Sequence, residues 1–291
     1  MMKKGLLILL CLPLMTLAQQ TYVPDDNFEN YLETTTAWGM PVSIGDPNSM
    51  GDGTINDYVT TANINTVTTL EITNWGIADL TGIEDFTALD DLRCYSNQLT
   101  SLDLTTNTAL TFLDCSDNQL TIIDVSNNPA IRTLSCHNNQ LTNLDVSNIT
   151  DLTSLYCYYN QLTCLDISNN TDVDWLHCSN NLLEQLNTKN GNWVNSFDME
   201  ADSNNLTCVE VDNIGYANSN WNGSFDSFVT FSTNCNYTNP CATISSIQEH
   251  STNKELLTVT DLLGRETNDT KNEVLFYIYD NGTVEKRKII E

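Results

Sequence analysis

Basic side chains are scarce in this chain. Only 11 Lys and Arg stand against 38 Asp and Glu, for a formal net charge of −27. So negative a surface repels phosphate backbones and anionic headgroups, which excludes nucleic acid and membrane surfaces as partners. It suits cations or basic surfaces, or simply keeps an acidic secreted protein in solution. Histidine is scarcer still, confined to His137, His177 and His250. No G-x-S-x-G, H-E-x-x-H or phosphate-cradling glycine loop occurs, so the usual signatures of an enzyme are missing. Acids abound, yet no two stand out as the carboxylate pair of a glycosidase. Beyond residue 18 no run is apolar enough to span a bilayer, and no membrane insertion is expected.

The N-terminus is different. Lys3 and Lys4 precede an apolar run that ends at Thr16-Leu17-Ala18. That is the anatomy of a secretory signal peptide cleaved after Ala18. Leu10 before Cys11 is too large for a lipidation site. Removing residues 1–18 leaves nine basic residues against 38 acidic ones. Asn, Asp, Ser and Thr are abundant throughout, which favours turns at short intervals over long helices.

Cysteine recurs every 21 residues, at Cys94, Cys115, Cys136, Cys157 and Cys178. The turns it marks run from "LRCYSNQLTSLDLTTNTALTF" through "LDCSDNQLTIIDVSNNPAIRT" to "LHCSNNLLEQLNTKNGNWVNS". A degraded turn starts at Met199, and an early one at Leu70 has Ile72 in the cysteine position. A period of this length predicts a solenoid. In a short strand alternate side chains share a face, so Leu113 and Cys115 point inward while Asp114 and Ser116 point out. The amides of Asn97, Asn118, Asn139, Asn160, Asn181 and Asn204 then satisfy backbone groups of their own or the next coil. Leu99, Leu120, Leu141, Leu162, Leu183 and Leu206 close the core beneath them. The cysteines are expected to pack as small hydrophobes. Stacked coils would bring their Cα atoms within about 5 Å, which leaves disulfides or a metal ladder as alternatives.

A fragment such as "LTFLDCSDNQL", Leu110 to Leu120, resembles the leucine-rich repeat consensus L-x-x-L-x-L-x-x-N-x-L, with cysteine for the third leucine. The resemblance implies a horseshoe with a curved parallel β-sheet on its concave face. About ten residues per turn remain for the return path, too few for a helix with two connections, so the convex side should be extended or 3₁₀. The segment from Cys208 to Cys235 resembles the C-terminal flanking unit of this family, and a Cys208–Cys235 bridge is expected to close it. Cys164 and Cys241 have no obvious partners.

The expected organisation is a signal peptide (1–18), an N-terminal cap (19–68), the solenoid (69–209), a C-terminal cap (210–241) and a small β-rich tail (242–291). Phe28, Tyr31 and Leu32 at helical spacing behind a run of acids predict a short amphipathic cap helix. Asp46, Asn48, Asp52 and Asp57 are similar to a calcium loop, but Met50 and the missing final Glu favour an ordinary acidic turn. Asp103, Asp124, Asp145 and Asp166, with Asn187 next, repeat on the return path. Each either bonds its own backbone as a turn residue or joins a calcium ladder. No cofactor is expected, calcium being the one ion considered. The tail predicts a β-hairpin turning at Asn281-Gly282. Through "LLGRE" and "LFYIYDNGTVEKRKII" it also resembles the C-terminal sorting domain of the bacterial type IX secretion system, though it lacks the usual leading strand. That resemblance implies the secretion machinery as a partner and a final location outside the cell or on its outer surface.

The concave face carries the functional expectation. Its outward positions include Asp91, Arg93, Tyr95, Phe112, Asp114, His137, Tyr156, Tyr158, Trp175, His177, Glu200 and Asp202, with Tyr159 adjoining. Exposed aromatics on a rigid curved sheet anchor partners. Cross-strand stacking that merely stiffens the sheet is the alternative. His137 and His177 fall in different columns, so no shared metal is expected. The sequence therefore suggests a secreted, non-enzymatic binding or adhesion protein whose concave face takes a protein or a glycan. A surface-coat protein without a dedicated ligand, or an accessory subunit to polysaccharide-degrading enzymes, are the alternatives.

Overall fold

The computed structural model describes residues 19–192, 198–221, 223–237 and 241, together with three backbone strands within 256–288. The chain divides into two compact units, Met1–Cys241 and Ala242–Glu291.

The first unit opens with a cap. β1 (Gln20–Tyr22) pairs antiparallel with β2 (Tyr58–Thr60), flanking α1 (Asp26–Thr34), and α2 (Thr61–Ile64) follows. Asp25 caps α1: its Oδ1 accepts the N–H groups of Asn27 and Phe28. Its Oδ2 accepts those of Ala78 and Asp79, so one carboxylate ties the cap to the first coil. Phe28, Tyr31 and Leu32 form the buried face, and Phe28 stacks on Phe86. Glu29 and Glu33 are fully buried as well. Glu29 accepts the N–H groups of Asn56 and Tyr58, and Glu33 those of Asp52 and Gly53. A Cβ at Gly51 would overlap the Glu33 carboxylate, so any larger residue there would displace that buried group. Asp46 and Asp52 each accept the N–H two residues ahead, the bonding of turn residues.

The solenoid expected from the repeat follows. Seven short parallel strands form its concave sheet: β3 (Thr69–Glu71), β4 (Asp91–Arg93), β5 (Phe112–Asp114), β6 (Thr133–Ser135), β7 (Ser154–Tyr156), β9 (Trp175–His177) and β11 (Asp198–Glu200). Their register stacks Leu70, Leu92, Leu113, Leu134, Leu155, Leu176 and Met199 in one buried column. Ile72, the five cysteines and Ala201 fill a second. Each buried Leu contributes roughly 1.5–3 kcal/mol relative to exposure. The cysteine thiols are free and buried.

The return path is extended, and over its C-terminal part it becomes a second parallel sheet. The strands β8 (Cys164–Asp166), β10 (Gln185–Asn187), β12 (Cys208–Glu210) and β13 (Thr230–Ser232) stack in that order. A 3₁₀ turn occurs at Ile83–Asp85. Two disulfides attach to this sheet. Cys208 is joined to Cys235, with Cα atoms 5.9 Å apart. Cys164 and Cys241 are not unpartnered as the sequence suggested: they are joined to each other, Cα–Cα 5.6 Å, across 77 residues. Residues so distant in sequence meet because the second sheet presents Cys164 on its edge strand. Beyond it α3 (Ile214–Asn220) precedes Trp221 and Phe225, which are buried and close the end of the core.

The second unit is a three-stranded antiparallel sheet of β14 (Leu256–Thr260), β15 (Val274–Tyr279) and β16 (Val284–Lys288). β15 and β16 form the hairpin, with Ile278 opposite Val284. Residues 1–18, His250, Leu262–Glu266 and Asn281-Gly282 lie outside the described residues. Among the described residues no helix is long and apolar enough to cross a membrane.

Candidate functional site

The concave sheet is held rigid from its edge. Each Asn of the column accepts, through Oδ1, the N–H of a leucine in the preceding coil. Asn118 serves Leu99, Asn139 serves Leu120, Asn160 serves Leu141, Asn181 serves Leu162 and Asn204 serves Leu183. Asn97 takes the N–H groups of Trp75 and Ile77 instead. Each Nδ2 donates to carbonyls of its own coil and the previous one, as Asn139 does to Cys115 (3.0 Å) and Cys136 (3.2 Å). A second column went unread in the sequence. Asn107, Asn128 and Asn170 are fully buried and donate to return-path carbonyls, with Ile149 interrupting the series. Its signal was present, since each lies ten residues beyond a member of the first column.

Three columns of side chains face outward from this platform. The first runs Asp91, Phe112, Thr133, Ser154, Trp175, Asp198, and the second Arg93, Asp114, Ser135, Tyr156, His177, Glu200. The third, just past the strands, is Tyr95, Ser116, His137, Tyr158, Ser179, Asp202. Arg93 is engaged internally: it forms a two-pronged bond with Asp91, both contacts 2.9 Å, and lies 4.7 Å over the Phe112 ring. Arg93, Phe112 and the half-buried Tyr95 therefore stand at one end of the face. The remaining aromatic and histidine candidates meet at its centre. His137 stacks on Tyr158 at 4.3 Å and 14°, and Tyr158 meets Tyr159 edge-on at 5.7 Å. Tyr156 meets His177 edge-on at 5.3 Å, and Trp175 meets His177 at 6.5 Å. These contacts stiffen the sheet, yet Trp175 stays 45% and Tyr159 56% exposed.

Tyr159 has a further peculiarity. The residue before each ladder Asn is left-handed, and elsewhere it is Ser96, Asp117, Asn138, Asn180 or Ser203. Tyr159 adopts φ 50° there with a bulky side chain. Such a conformation costs about 1–2 kcal/mol for a residue of this kind, and strain of this sort gathers at functional sites.

Carboxylates border the aromatic centre on both sides. Asp91, Asp114 and Asp117 lie toward β4 and β5, and Asp198, Glu200 and Asp202 along β11; the sequence reading missed Asp198, which continues the first column, and Asp117, which holds the left-handed position that Tyr159 holds two coils on. Burial pushes the Tyr158 hydroxyl up, and the charges of Asp117, Asp114, Tyr159 and Glu200 raise it further, so acids from both flanks are felt at the centre. Burial holds His137 below the usual histidine range, against the pull of Asp114 and of Asp117, whose Oδ2 lies 3.8 Å from its Nε2. Its Nδ1 lies 3.0 Å from the Ser135 hydroxyl. Ser135 is buried, so that hydroxyl orients the ring rather than reaching a substrate. On the return path Asp103, Asp124, Asp145 and Asp166 each accept the N–H two residues ahead, as turn residues. Among the described residues no group of three His, Cys, Asp or Glu is placed to hold a metal ion. What the trough offers is a stiff, half-exposed aromatic surface in a negative field.

The family model for leucine-rich repeats (two copies) matches residues 108–150. Internalin J of Listeria monocytogenes serotype 4b (strain F2365) is 36% identical over 87 residues, which is 30% of this chain and only 8% of that protein. The crystal structure of an internalin C2 from Listeria monocytogenes superimposes with a TM-score of 0.50 at 24% identity, covering 69% of this chain and 84% of that one. The functional domain of InlJ from the same species, which includes a cysteine ladder, is 24% identical with a TM-score of 0.28, covering 68% of this chain and 58% of that one. The chain thus has the fold of a leucine-rich repeat solenoid, its central coils match the leucine-rich repeat model, and over 87 residues it is similar to a Listeria internalin.

Proposed function

We propose that this is a secreted or surface-held recognition protein, without catalytic activity, that binds a protein partner on the concave face of its repeats. The observation that carries the reading is the cluster of Tyr156, Tyr158, Tyr159 and Trp175 at the centre of the trough, with Tyr159 in a strained backbone position. Core packing does not call for aromatic side chains that point outward, and large rigid rings are the residues that anchor interfaces. His137 and His177 brace the rings rather than perform acid–base chemistry. The N-terminal 18 residues act as the export signal. The C-terminal module serves type IX sorting, a reading supported by its sequence resemblance and by its hairpin.

Replacing Tyr156, Tyr158 and Trp175 together with Ala tests the binding surface. The variant should keep the circular-dichroism spectrum of the parent and lose no more than about 1 kcal/mol per ring contact removed, because none of the three is in the core, and should lose partner capture from natural surroundings. Undiminished capture by a folded variant rules this face out. For the tail, deleting residues 242–291 should leave the protein in the periplasm; normal export of the truncated chain refutes the sorting role.

A further inference from the structure

Within residues 19–241 there are 29 acids and only three bases, Arg93, Arg132 and Lys189. None of the three offers a free cation to the aromatic centre. Arg93 is clasped by Asp91, Lys189 donates to the Thr233 carbonyl beyond the second sheet, and Arg132 precedes β6 outside the outward columns. The acids of the trough, by contrast, are arranged around its rings. Neighbouring strands lie about 4.8 Å apart, so β5 on one side and β11 on the other are each roughly 10 Å from the tyrosines of β7. That is close to the screening length at moderate salt, which means both flanks act on whatever sits on Tyr156 and Tyr158.

Resting on the reading of this face as a binding surface, we infer that its partner presents a cationic polypeptide segment. Its Arg and Lys heads meet Asp114 and Asp117 on one side and Asp198, Glu200 and Asp202 on the other. Their stems and guanidinium planes lie on Tyr156, Tyr158 and Trp175. Each part of the surface then has a use. Aromatic faces attract cations through their quadrupole, Arg above all, and the flanking carboxylates strengthen the same contact. A neutral glycan would use the rings and could donate hydroxyls to the acids but would leave their net charge unanswered, and an anionic one would be repelled. His137 Nε2 stands 3.8 Å from Asp117 and His177 Nδ1 3.9 Å from Glu200, which leaves Asp114, Asp198 and Asp202 without a basic neighbour, and Arg93, the one cation on the concave strands, is already held by Asp91.

The test is direct titration of the full chain with two fluorescent dodecapeptides, one of repeated Ser-Arg-Ser-Gly and one with citrulline for arginine, and with cellohexaose. The arginine peptide should bind, the citrulline peptide should bind at least about tenfold more weakly, and raising NaCl from about 50 to about 300 mM should weaken the arginine complex by a similar factor. Replacing Asp114, Asp198 and Asp202 with Asn and Glu200 with Gln should cost at least about tenfold. An equal change on the return path, Asp103, Asp124, Asp145 and Asp151 to Asn, should alter affinity by less than about twofold. Both sets leave amide oxygens where the turns need acceptors. Equal losses from the two sets would overturn the inference, since the attraction would then be general to an acidic protein. Failure of the arginine peptide to bind would overturn it too. If cellohexaose then bound, and the Tyr156, Tyr158 and Trp175 triple variant lost it, the face would remain a binding surface with a different ligand. If the arginine peptide bound equally well to that triple variant, both readings would fall together.

Discussion

Replacing Asn139 with Ala removes one rung of the ladder, and the bonding around it fixes what should be lost. Its Oδ1 takes the Leu120 N–H at 2.9 Å, and its Nδ2 reaches the carbonyls of Cys115, Cys136 and His137 at 3.0, 3.2 and 3.3 Å. Two of those carbonyls keep another side-chain amide, Cys115 from Asn118 and Cys136 from Asn160. The Leu120 N–H keeps nothing and is buried. One orphaned donor costs about 1–3 kcal/mol, and the weakened carbonyl bonding roughly 1 more, so Asn139→Ala should lose about 3 kcal/mol. Asn139→Asp discriminates further. It keeps the acceptor for Leu120 but turns an oxygen toward three carbonyl oxygens in a buried site, and should cost more than the alanine change, on the order of 4–5 kcal/mol. The exposed neighbour changed in Gln140→Ala should move stability by less than about 0.5 kcal/mol. Urea unfolding followed by circular dichroism measures all three. If the aspartate variant is as stable as the alanine one, the donor half of the ladder is not what holds successive coils together.

Burial pushes the Cys136 and Cys178 thiols up to about 12 from 9.0. Their folded values exceed the unfolded one, so this stability is whole below pH 9.0 and should fall as pH rises toward 12. A bulky thiol reagent should accordingly label the five buried cysteines only as fast as the chain unfolds; rapid labelling of the native protein would refute the packing described. Removing the Cys208–Cys235 bridge with paired serines frees a loop of 27 residues and should cost about 3.5 kcal/mol by loop entropy. An unchanged unfolding midpoint in that variant would mean the loop is held by its packing alone. Tyr159→Asn should stabilise the fold by about 1 kcal/mol, because Asn tolerates the left-handed position, while weakening partner capture. A variant no more stable than the parent removes strain from the case for this site.

What could be read from the sequence was whatever repeats in identical surroundings. The leucine, cysteine and first asparagine columns sit in the same environment in every coil, so the period alone assigned inward and outward faces. The Asn107, Asn128 and Asn170 column was hidden by Ile149, which fills the same buried place with an apolar side chain. The second sheet was not legible, because a three-residue strand such as Cys164–Asp166 carries too little pattern to separate it from a turn. With it went the Cys164–Cys241 pairing, which depends on where that strand lies. In the cap, helical spacing identified Phe28, Tyr31 and Leu32 but not the burial of Glu29 and Glu33, which is decided by backbone donors of the loop at 52–58. On the concave face the alternation placed the rings correctly in their columns. It did not reveal that Arg93 and Phe112 form a separate group with Asp91, a matter of side-chain reach.

Because each asparagine reaches only one coil back, no rung depends on how many coils lie beyond. A whole 21-residue unit could be added or dropped between Leu92 and Leu176 with every junction remaking the same bonds. Descendants of such a gene could lengthen or shorten their reach by unequal crossing-over and keep a folded product at each step. The coil bearing Tyr156, Tyr158 and Tyr159 would travel as a cassette, its grip shifted along the molecule without being rebuilt.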